Sequence, residues 1–216
     1  MSAKKLSILD EFNKYINGYI LRLSAFREIN SRFNIKKILY PGSYCDVVPS
    51  LVFSDVVYID SYKRTEKFFT DKIIKDYVEK HRYYMEDPAI KFHLASYNAE
   101  FYERKDNFDL LISLSAGHVS ISCKKYLKKN GILLANNDHY DAARACLEKD
   151  YKLIGVFNIS DSNYFYSNSD LGGFFKLKSG ERFTLTEFNS LASKPPSRSL
   201  KKFIKNSDLY VFLKIS

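Results

Sequence analysis

Gly42 and Asp60 have the residue types and spacing of a nucleoside-binding site. Gly42 follows a short apolar run, Ile38–Tyr40, and Asp60 directly follows a second one, Val56–Ile59. Such runs are typical of strands buried on both faces of a parallel sheet. In a right-handed crossover unit, the turn after the first strand and the acid after the second lie at the same sheet edge. A glycine there lets the backbone approach a ligand, and a carboxylate accepts hydrogen bonds from a ribose diol.

Two histidines follow later strands and are candidate catalytic residues. His118 comes after the fourth predicted strand and His139 after the fifth, so both belong at the carboxyl edge. Either would suit a general base near neutral pH. The alternative is that His118 and Asp138 only begin helices, which capping explains without catalysis. Asp138 and His139 are adjacent in sequence and Asp141 lies two residues further on, and residues this close in sequence rarely converge on one metal, so we predict no metal site.

The hydrophobic pattern predicts strands that alternate with helices. Further strands are predicted at Ile90–Leu94, Phe108–Leu114, Gly131–Asn136, Tyr151–Asn158 and Asp208–Ile215. Helices are predicted at about Ser7–Ser31 with a break at Gly18, within Val47–Phe53, and at Thr65–Tyr84, His118–Lys129 (ended by Asn130-Gly131), Asp138–Lys149 and Leu185–Leu191. A hairpin is predicted between Tyr164–Ser167 and Gly173–Lys178.

This order predicts an α/β fold with a doubly wound, mostly parallel sheet of seven strands. The length of 216 residues fits a single domain. We divide it into an N-terminal helical extension (1–34), a cofactor-binding core (36–158), an insertion (159–207) and a last strand (208–215).

With this order assembled, the chain resembles class I, Rossmann-like S-adenosylmethionine-dependent methyltransferases. The resemblance lies in ILYPGSYCD, in Asp60 after VVYI, in the strand FDLLISL and in KKYLKKNGILLANN. YKLIGVF and DLYVFLKI resemble that fold's last two strands, of which the final one is inserted antiparallel. The match spans about residues 36–158 and the last strand.

The resemblance implies S-adenosylmethionine as the cofactor and a set of residues that contact it. Gly42 and Ser43 would approach its methionine part, and Asp60 would bind the ribose hydroxyls. The full implied cofactor set is Gly42, Ser43, Asp60, Ser61, Ser96, Tyr97, Asn98, Leu114 and Ser115. No Asn/Asp-Pro-Pro-Tyr tetrapeptide follows the fourth strand, which argues against methylation of a nucleobase amino group.

Two other classes stay open from the sequence. A nicotinamide-dependent Rossmann-like enzyme is disfavoured by the single glycine, because a pyrophosphate needs a longer glycine turn. A non-catalytic nucleotide- or nucleic-acid-binding protein would rest on positive charge alone, since no known nucleic-acid-binding signature is present.

The net charge of +9 is distributed unevenly along the chain. Residues 1–37 carry 8 Lys/Arg against 3 Asp/Glu, residues 38–175 carry 17 against 19, and residues 176–205 carry 8 against 2. A neutral core with basic flanking segments favours an anionic methyl acceptor, either a small molecule or a nucleic acid. The residues predicted to border the acceptor are Lys194, Arg198, Lys201, Lys202 and Lys205.

Composition is that of a globular protein, with 45% hydrophobic and 27% charged residues. The sequence has no apolar run of membrane-spanning length, and acids stand where a secretion signal would be apolar. Its 3 cysteines are scattered, without the spacing of a zinc site or a disulfide framework. These features predict a reduced, cytoplasmic protein that does not associate with membranes.

Overall fold

The computed structural model describes residues 7–192 and 203–216, whose strands form a single eight-stranded sheet. The strands are β1 (Lys37–Pro41), β2 (Asp55–Asp60), β3 (Ala89–Leu94), β4 (Phe108–Ser113), β5 (Leu127–Ala135), β6 (Tyr151–Ser160), β7 (Asn163–Ser167) and β8 (Leu209–Lys214). Their order across the sheet is β3-β2-β1-β4-β5-β8-β6-β7.

Most of the sheet is parallel, as predicted. Strands β1 to β5 pair in parallel, while β8 lies antiparallel between β5 and β6. The inserted antiparallel strand that the resemblance implied is therefore confirmed. The predicted count of seven strands was wrong, because β7 adds an eighth at the edge.

The extra strand arises from a tight hairpin. Asp161 and Ser162 both have positive φ, at 47° and 60°, and such a two-residue turn matches the twist of antiparallel strands. Tyr164–Ser167 therefore pairs with β6. The predicted pairing with Gly173–Lys178 was wrong, since that segment forms a short 3-10 turn (Leu171–Gly173) and isolated bridges.

Helices cover both faces of the sheet. They are α1 (Ile8–Ile20), α2 (Leu23–Arg32), α3 (Pro49–Val52), α4 (Lys63–Thr70), α5 (Lys72–His81), α6 (Val119–Ser122), α7 (Asp141–Cys146) and α8 (Leu185–Ala192). Helices α1 to α5 contribute to one hydrophobic core and α6 to α8 to the other. Ile38 and Tyr40 of β1 belong to the first core and Leu39 to the second, which is the alternation of a strand buried on both faces.

Two predicted helix boundaries in the first half of the chain were wrong. Gly18 lies inside α1, and the break comes at Leu21 and Arg22, whose side chain turns inward to pair with Asp46. The predicted helix Thr65–Tyr84 is two helices separated at Asp71. The Asp71 side chain accepts a hydrogen bond from the Ile73 N–H and so begins α5 as an N-cap.

Two helices in the second half are shorter than predicted. The segment predicted as helix His118–Lys129 contains only α6 and the 3-10 turn Lys124–Tyr126 before β5 begins. Asn130, at φ 63°, lies within β5, where the pairing with β4 shifts register, so Asn130-Gly131 is a strand irregularity and not a helix end. Asp138 precedes the start of α7 by three residues, so it does not cap that helix.

Candidate active site

The turn after β1 is fastened to the end of β2. The Gly42 N–H donates to the carbonyl of Ile59 at 2.7 Å, and the Tyr44 N–H donates to Asp60 Oδ2 at 2.9 Å. The other Asp60 oxygen, Oδ1, accepts from the Tyr62 N–H at 2.8 Å. These bonds orient the carboxylate at the carboxyl edge. Because a carboxylate has about four lone-pair sites, it keeps capacity for further donors such as hydroxyls.

Ser43 lies in the same turn, between Gly42 and Tyr44. It is only 2% exposed, and its hydroxyl has no hydrogen-bond partner among the residues that the structure describes. Buried polar groups in native proteins are nearly always paired, so a hydroxyl without a partner in the described chain is available to a polar atom of a ligand or to water. Asp60 and Ser43 together fit the polar part of a nucleoside cofactor.

The Gly42 turn also packs against the loop that follows β4. Gly42 has φ 65°, and a Cβ added there would overlap the Cβ of Ala116. Tyr97 joins the same contact, since its hydroxyl donates to the Ala116 carbonyl and occupies the space beside Gly117. Two predicted cofactor residues, Gly42 and Tyr97, therefore both contact Ala116. A third, Ser115, directly precedes Ala116 in the chain.

The remaining predicted cofactor residues are less closely gathered. Ser61 and Ser96 are exposed, and Leu114 is buried at 3% exposure. Asn98 is exposed, and its Oδ1 accepts a hydrogen bond from the Ser122 hydroxyl of α6 at 2.7 Å. Their roles at a cofactor stay predictions.

Helix α1 covers this edge through residues that sequence reasoning missed. Glu11, 9% exposed, accepts a hydrogen bond from the Tyr44 hydroxyl and pairs with Arg64. Arg64 also donates to the Tyr62 hydroxyl at 3.1 Å, and the Tyr44 and Tyr62 rings stack with centroids 5.9 Å apart. Burial raises the pKa of Tyr44 far above its ordinary value, and Glu11 raises it further, so the hydroxyl stays a donor. The available signal was that each tyrosine lies two residues beyond a predicted site residue.

A buried ion pair holds the loop that follows β1. Asp46 is fully buried, and Arg22 donates to its Oδ2 at 2.6 Å, as does the Tyr40 hydroxyl at 3.1 Å. Burial raises the pKa of Asp46, and the Arg22 guanidinium opposes that rise. The pair ties the junction of α1 and α2 to the loop after β1.

The ring of one candidate catalytic histidine contacts the backbone of the other. Nε2 of His118 donates to the His139 carbonyl at 3.1 Å, and the His118 ring packs against Phe188 of α8 with centroids 5.1 Å apart. His139 itself is exposed. No described contact joins either imidazole to the Gly42 turn, so their catalytic role stays a prediction.

A polar cluster occupies the carboxyl ends of β4 and β5. Ser115 Oγ donates to Asp138 Oδ2 at 2.5 Å, and Asn136 Nδ2 donates to the same oxygen at 2.8 Å. Asn136 Oδ1 accepts from the Ser115 N–H at 3.1 Å. The cluster follows Ser113 and Ala135, which are partners in the sheet.

A deeper carboxylate, Asp141, anchors the same two loops. It is 1% exposed and accepts hydrogen bonds from the hydroxyls of Ser113 and Ser120, both at 2.5 Å, and from the Ser120 N–H at 2.9 Å. Burial raises its pKa, whereas these three bonds lower it. Asp141 therefore fixes α6 and α7 to the end of β4.

Within residues 7–192 and 203–216, no group of three or more His, Cys, Asp or Glu residues is placed to hold a metal ion. No helix within those ranges has the length and apolarity needed to cross a bilayer.

The sheet order, with β8 antiparallel between β5 and β6, agrees with the strand arrangement that the sequence resemblance implied. No family model and no curated protein matches the chain. Among solved structures, it is similar to a methyltransferase from Geobacter sulfurreducens, at 9% identity and a TM-score of 0.49, over 100% of this chain and 93% of that one. It is also similar to the N-methyltransferase NodS from Bradyrhizobium japonicum, in complex with S-adenosyl-L-homocysteine, at 12% identity and 0.45, over 74% and 88%.

A third similar structure is the YcgJ protein from Bacillus subtilis, at 13% identity and a TM-score of 0.38. That match covers 55% of this chain and 48% of the YcgJ chain, so the chain spans about half the length of that protein. Identities and scores this low leave function to be argued from the residues of the chain itself.

Proposed function

We propose that the chain is an S-adenosylmethionine-dependent methyltransferase whose nucleoside site is formed by the turn Gly42–Tyr44 and by Asp60. The proposal rests on two groups at the carboxyl edge. One is the Asp60 carboxylate, which two backbone N–H groups orient, and the other is the buried Ser43 hydroxyl, which has no hydrogen-bond partner among the described residues. In open α/β sheets, ligands bind at this edge, where the strand order reverses. Here β1 lies between β2 and β4, which is that reversal point.

In this proposal, each residue has a definite task. Asp60 accepts hydrogen bonds from the ribose hydroxyls, and the hydroxyl of Ser43 pairs with a polar atom of the methionine part. Tyr97 and Leu114 flank the base, and Glu11 with Tyr44 excludes water by holding α1 over the edge. S-adenosylmethionine supplies the electrophilic methyl group when bound. Methyl transfer needs little from the protein beyond positioning, which these residues would supply.

The nicotinamide-dependent alternative is less well supported. The turn after β1 contains one glycine, and the contact between Gly42 and Ala116 leaves the loop after β4 packed against it. A pyrophosphate requires backbone N–H groups from a longer glycine-rich turn.

An anionic acceptor stays a prediction that rests on the charge distribution. Lys194, Arg198, Lys201 and Lys202 lie outside the residues that the structure describes. Lys205 is described, and its ammonium group pairs with Asp170, so its charge is already partnered. The positive excess of residues 176–205 remains the argument for an anionic moiety somewhere on the acceptor.

Replacing Asp60 tests the proposal. Asp60→Ala should weaken the binding of S-adenosyl-L-homocysteine by about 1.5–3 kcal/mol, the scale of hydrogen bonds to a charged group. Isothermal titration calorimetry measures the change. Asp76→Ala, which removes an exposed carboxylate from α5, is the matched control and should bind as the parent does.

Because Asp60 also accepts from two backbone N–H groups, the fold of the variant needs a check by thermal unfolding. A folded Asp60→Ala protein with the affinity of the parent would remove Asp60 from the site.

A further inference from the structure

The cluster of Ser115, Asn136 and Asp138 holds one carboxylate oxygen and leaves the other available. Oδ2 of Asp138 accepts from both Ser115 Oγ and Asn136 Nδ2, at 2.5 and 2.8 Å. Oδ1 accepts no hydrogen bond from the described residues, and Asp138 is exposed. The side chain is thus oriented by the protein, and its Oδ1 has no donor among residues 7–192 and 203–216.

Helix capping does not explain this arrangement. The first N–H groups of α7 are satisfied by its neighbours, since Asn137 Oδ1 accepts from the Ala143 N–H at 2.9 Å and the Asn136 carbonyl accepts from the Ala142 N–H at 3.1 Å. Asp138 contributes to neither bond. The common structural reason for an acid at this position is therefore absent.

The backbone at Ser115 is also in an uncommon conformation. Its φ is 61°, in the left-handed region that non-glycine residues rarely adopt. The Asn136 side chain holds this conformation by bonding both the N–H and the hydroxyl of Ser115. Strained residues that the surrounding structure over-determines concentrate at functional sites.

The cluster lies beside the proposed cofactor site. Ser115 immediately precedes Ala116, which packs on Gly42. Ser115 Oγ in turn donates to Asp138 Oδ2, so Asp138 lies next to the loop that packs on the Gly42 turn.

We propose that Asp138 binds the reacting group of the methyl acceptor, and that this group is an amine nitrogen carrying N–H. The inference rests on the proposed function and names the class of group that receives the methyl group. A free carboxylate oxygen attracts an N–H donor or an ammonium group and repels a carboxylate or phosphate. An anionic moiety elsewhere on the acceptor is compatible with this assignment.

The carboxylate also has a place for the proton that the reaction releases. A nitrogen that has gained a methyl group carries a positive charge and still bears its hydrogen. Transfer of that proton breaks the N–H bond, leaves its electron pair on nitrogen and forms an O–H bond at Oδ1 of Asp138. The amine becomes neutral and the carboxylate becomes a carboxylic acid, which solvent can deprotonate because the side chain is exposed.

Sinefungin tests the inference without knowledge of the acceptor. This cofactor analogue carries a protonated amine at the place of the transferred methyl group, whereas S-adenosyl-L-homocysteine carries nothing there. Calorimetry with the full chain should show that sinefungin binds at least about tenfold more tightly, the worth of one charge-assisted hydrogen bond. Asp138→Asn should remove that preference and leave the affinity for S-adenosyl-L-homocysteine unchanged.

Asp106→Asn is the matched control. Asp106 is an exposed acid just before β4, at the opposite edge of the sheet, and its replacement should keep the preference for sinefungin. If the parent binds both compounds equally, or if Asp138→Asn keeps the preference, the inference is wrong and the proposed function stands. If neither compound binds the parent, the proposed function fails and the inference with it. The comparison of the two compounds on the parent needs no variant. It therefore tests the inference even if the Asp138→Asn protein does not fold.

Discussion

Arg22→Met should lower the free energy of unfolding by about 3–5 kcal/mol, the cost of breaking a buried ion pair by removing one partner. The substitution leaves the carboxylate of Asp46, which is fully buried, without its cation. Tyr40 and the Val48 N–H still donate to Asp46, but neither carries a charge. Chemical denaturation followed by circular dichroism measures the loss.

Arg32→Met is the matched control for this prediction. Arg32 also pairs with an acid at 2.6 Å, but its partner Glu28 lies one turn away on α2 and both side chains are exposed at 45% and 36%. Exposed pairs of this kind contribute about 0.3–0.5 kcal/mol. If both variants lose the same free energy of unfolding, the burial of Asp46 does not increase the cost of removing its cation.

The loss in Arg22→Met should depend on pH. Burial raises the pKa of Asp46 above its ordinary value of 3.8, and Arg22 opposes the rise, so its removal raises the pKa further. A native carboxyl with a raised pKa binds its proton more tightly than the unfolded chain does, so stability falls as pH rises through that pKa. The difference between variant and parent should therefore be smallest near pH 3.8 and grow toward neutral pH. A difference independent of pH would contradict this account of Asp46.

Gly42→Ala should both destabilise the protein and abolish binding of S-adenosyl-L-homocysteine. A non-glycine residue in the left-handed region costs about 1–2 kcal/mol. The added Cβ also overlaps the Cβ of Ala116, and overpacking of this kind costs about 1–3 kcal/mol. The Gly42 turn would move away from the loop after β4, and the orientation of Asp60 would change with it.

Gly18→Ala is the control, because Gly18 lies inside α1 and a Cβ there has nothing within 4 Å. It should stabilise the protein by about 0.5–1 kcal/mol. Adding Ala116→Gly to Gly42→Ala should recover the overpacking cost and leave only the backbone cost. If the double variant is no more stable than Gly42→Ala, the contact with Ala116 is not the cause of the loss.

The strand, turn and acid could be predicted from the sequence because their signals are local. The apolar runs around Leu39 and Val57 have no polar face, so only a strand buried on both sides suits them. Gly42, expected for its backbone freedom, has φ 65°. Its contact with Ala116 joins residues far apart in sequence, so local pattern could not predict that close approach.

The helix boundaries failed where tertiary contacts override local propensity. The hydrophobic pattern around Leu127 predicts a helix. Instead, Leu127 pairs with Phe108 in the sheet, and the Leu127 carbonyl accepts a hydrogen bond from the ammonium group of Lys214 at 2.6 Å. Those partners lie far along the chain, and local pattern contains no information about them. The pairing of β7 with β6 was missed because the turn residues Asp161 and Ser162 are acceptable in any loop.

Much of the candidate site could not be predicted for the same reason. Glu11 looks like one of several exposed acids on an amphipathic helix, and only the fold brings it to Tyr44 and Arg64. Asp138 was interpreted as a helix cap, and only the observed start of α7 at Asp141 removes that explanation.

The most direct test of the central claim is a calorimetric titration of the parent protein with S-adenosyl-L-homocysteine and, separately, with NAD. Asp60, Ser43 and the single-glycine turn predict that S-adenosyl-L-homocysteine binds at one site per chain and that NAD does not bind. Binding of NAD without S-adenosyl-L-homocysteine, or of neither compound, would contradict the assignment of this edge to a methyltransferase cofactor.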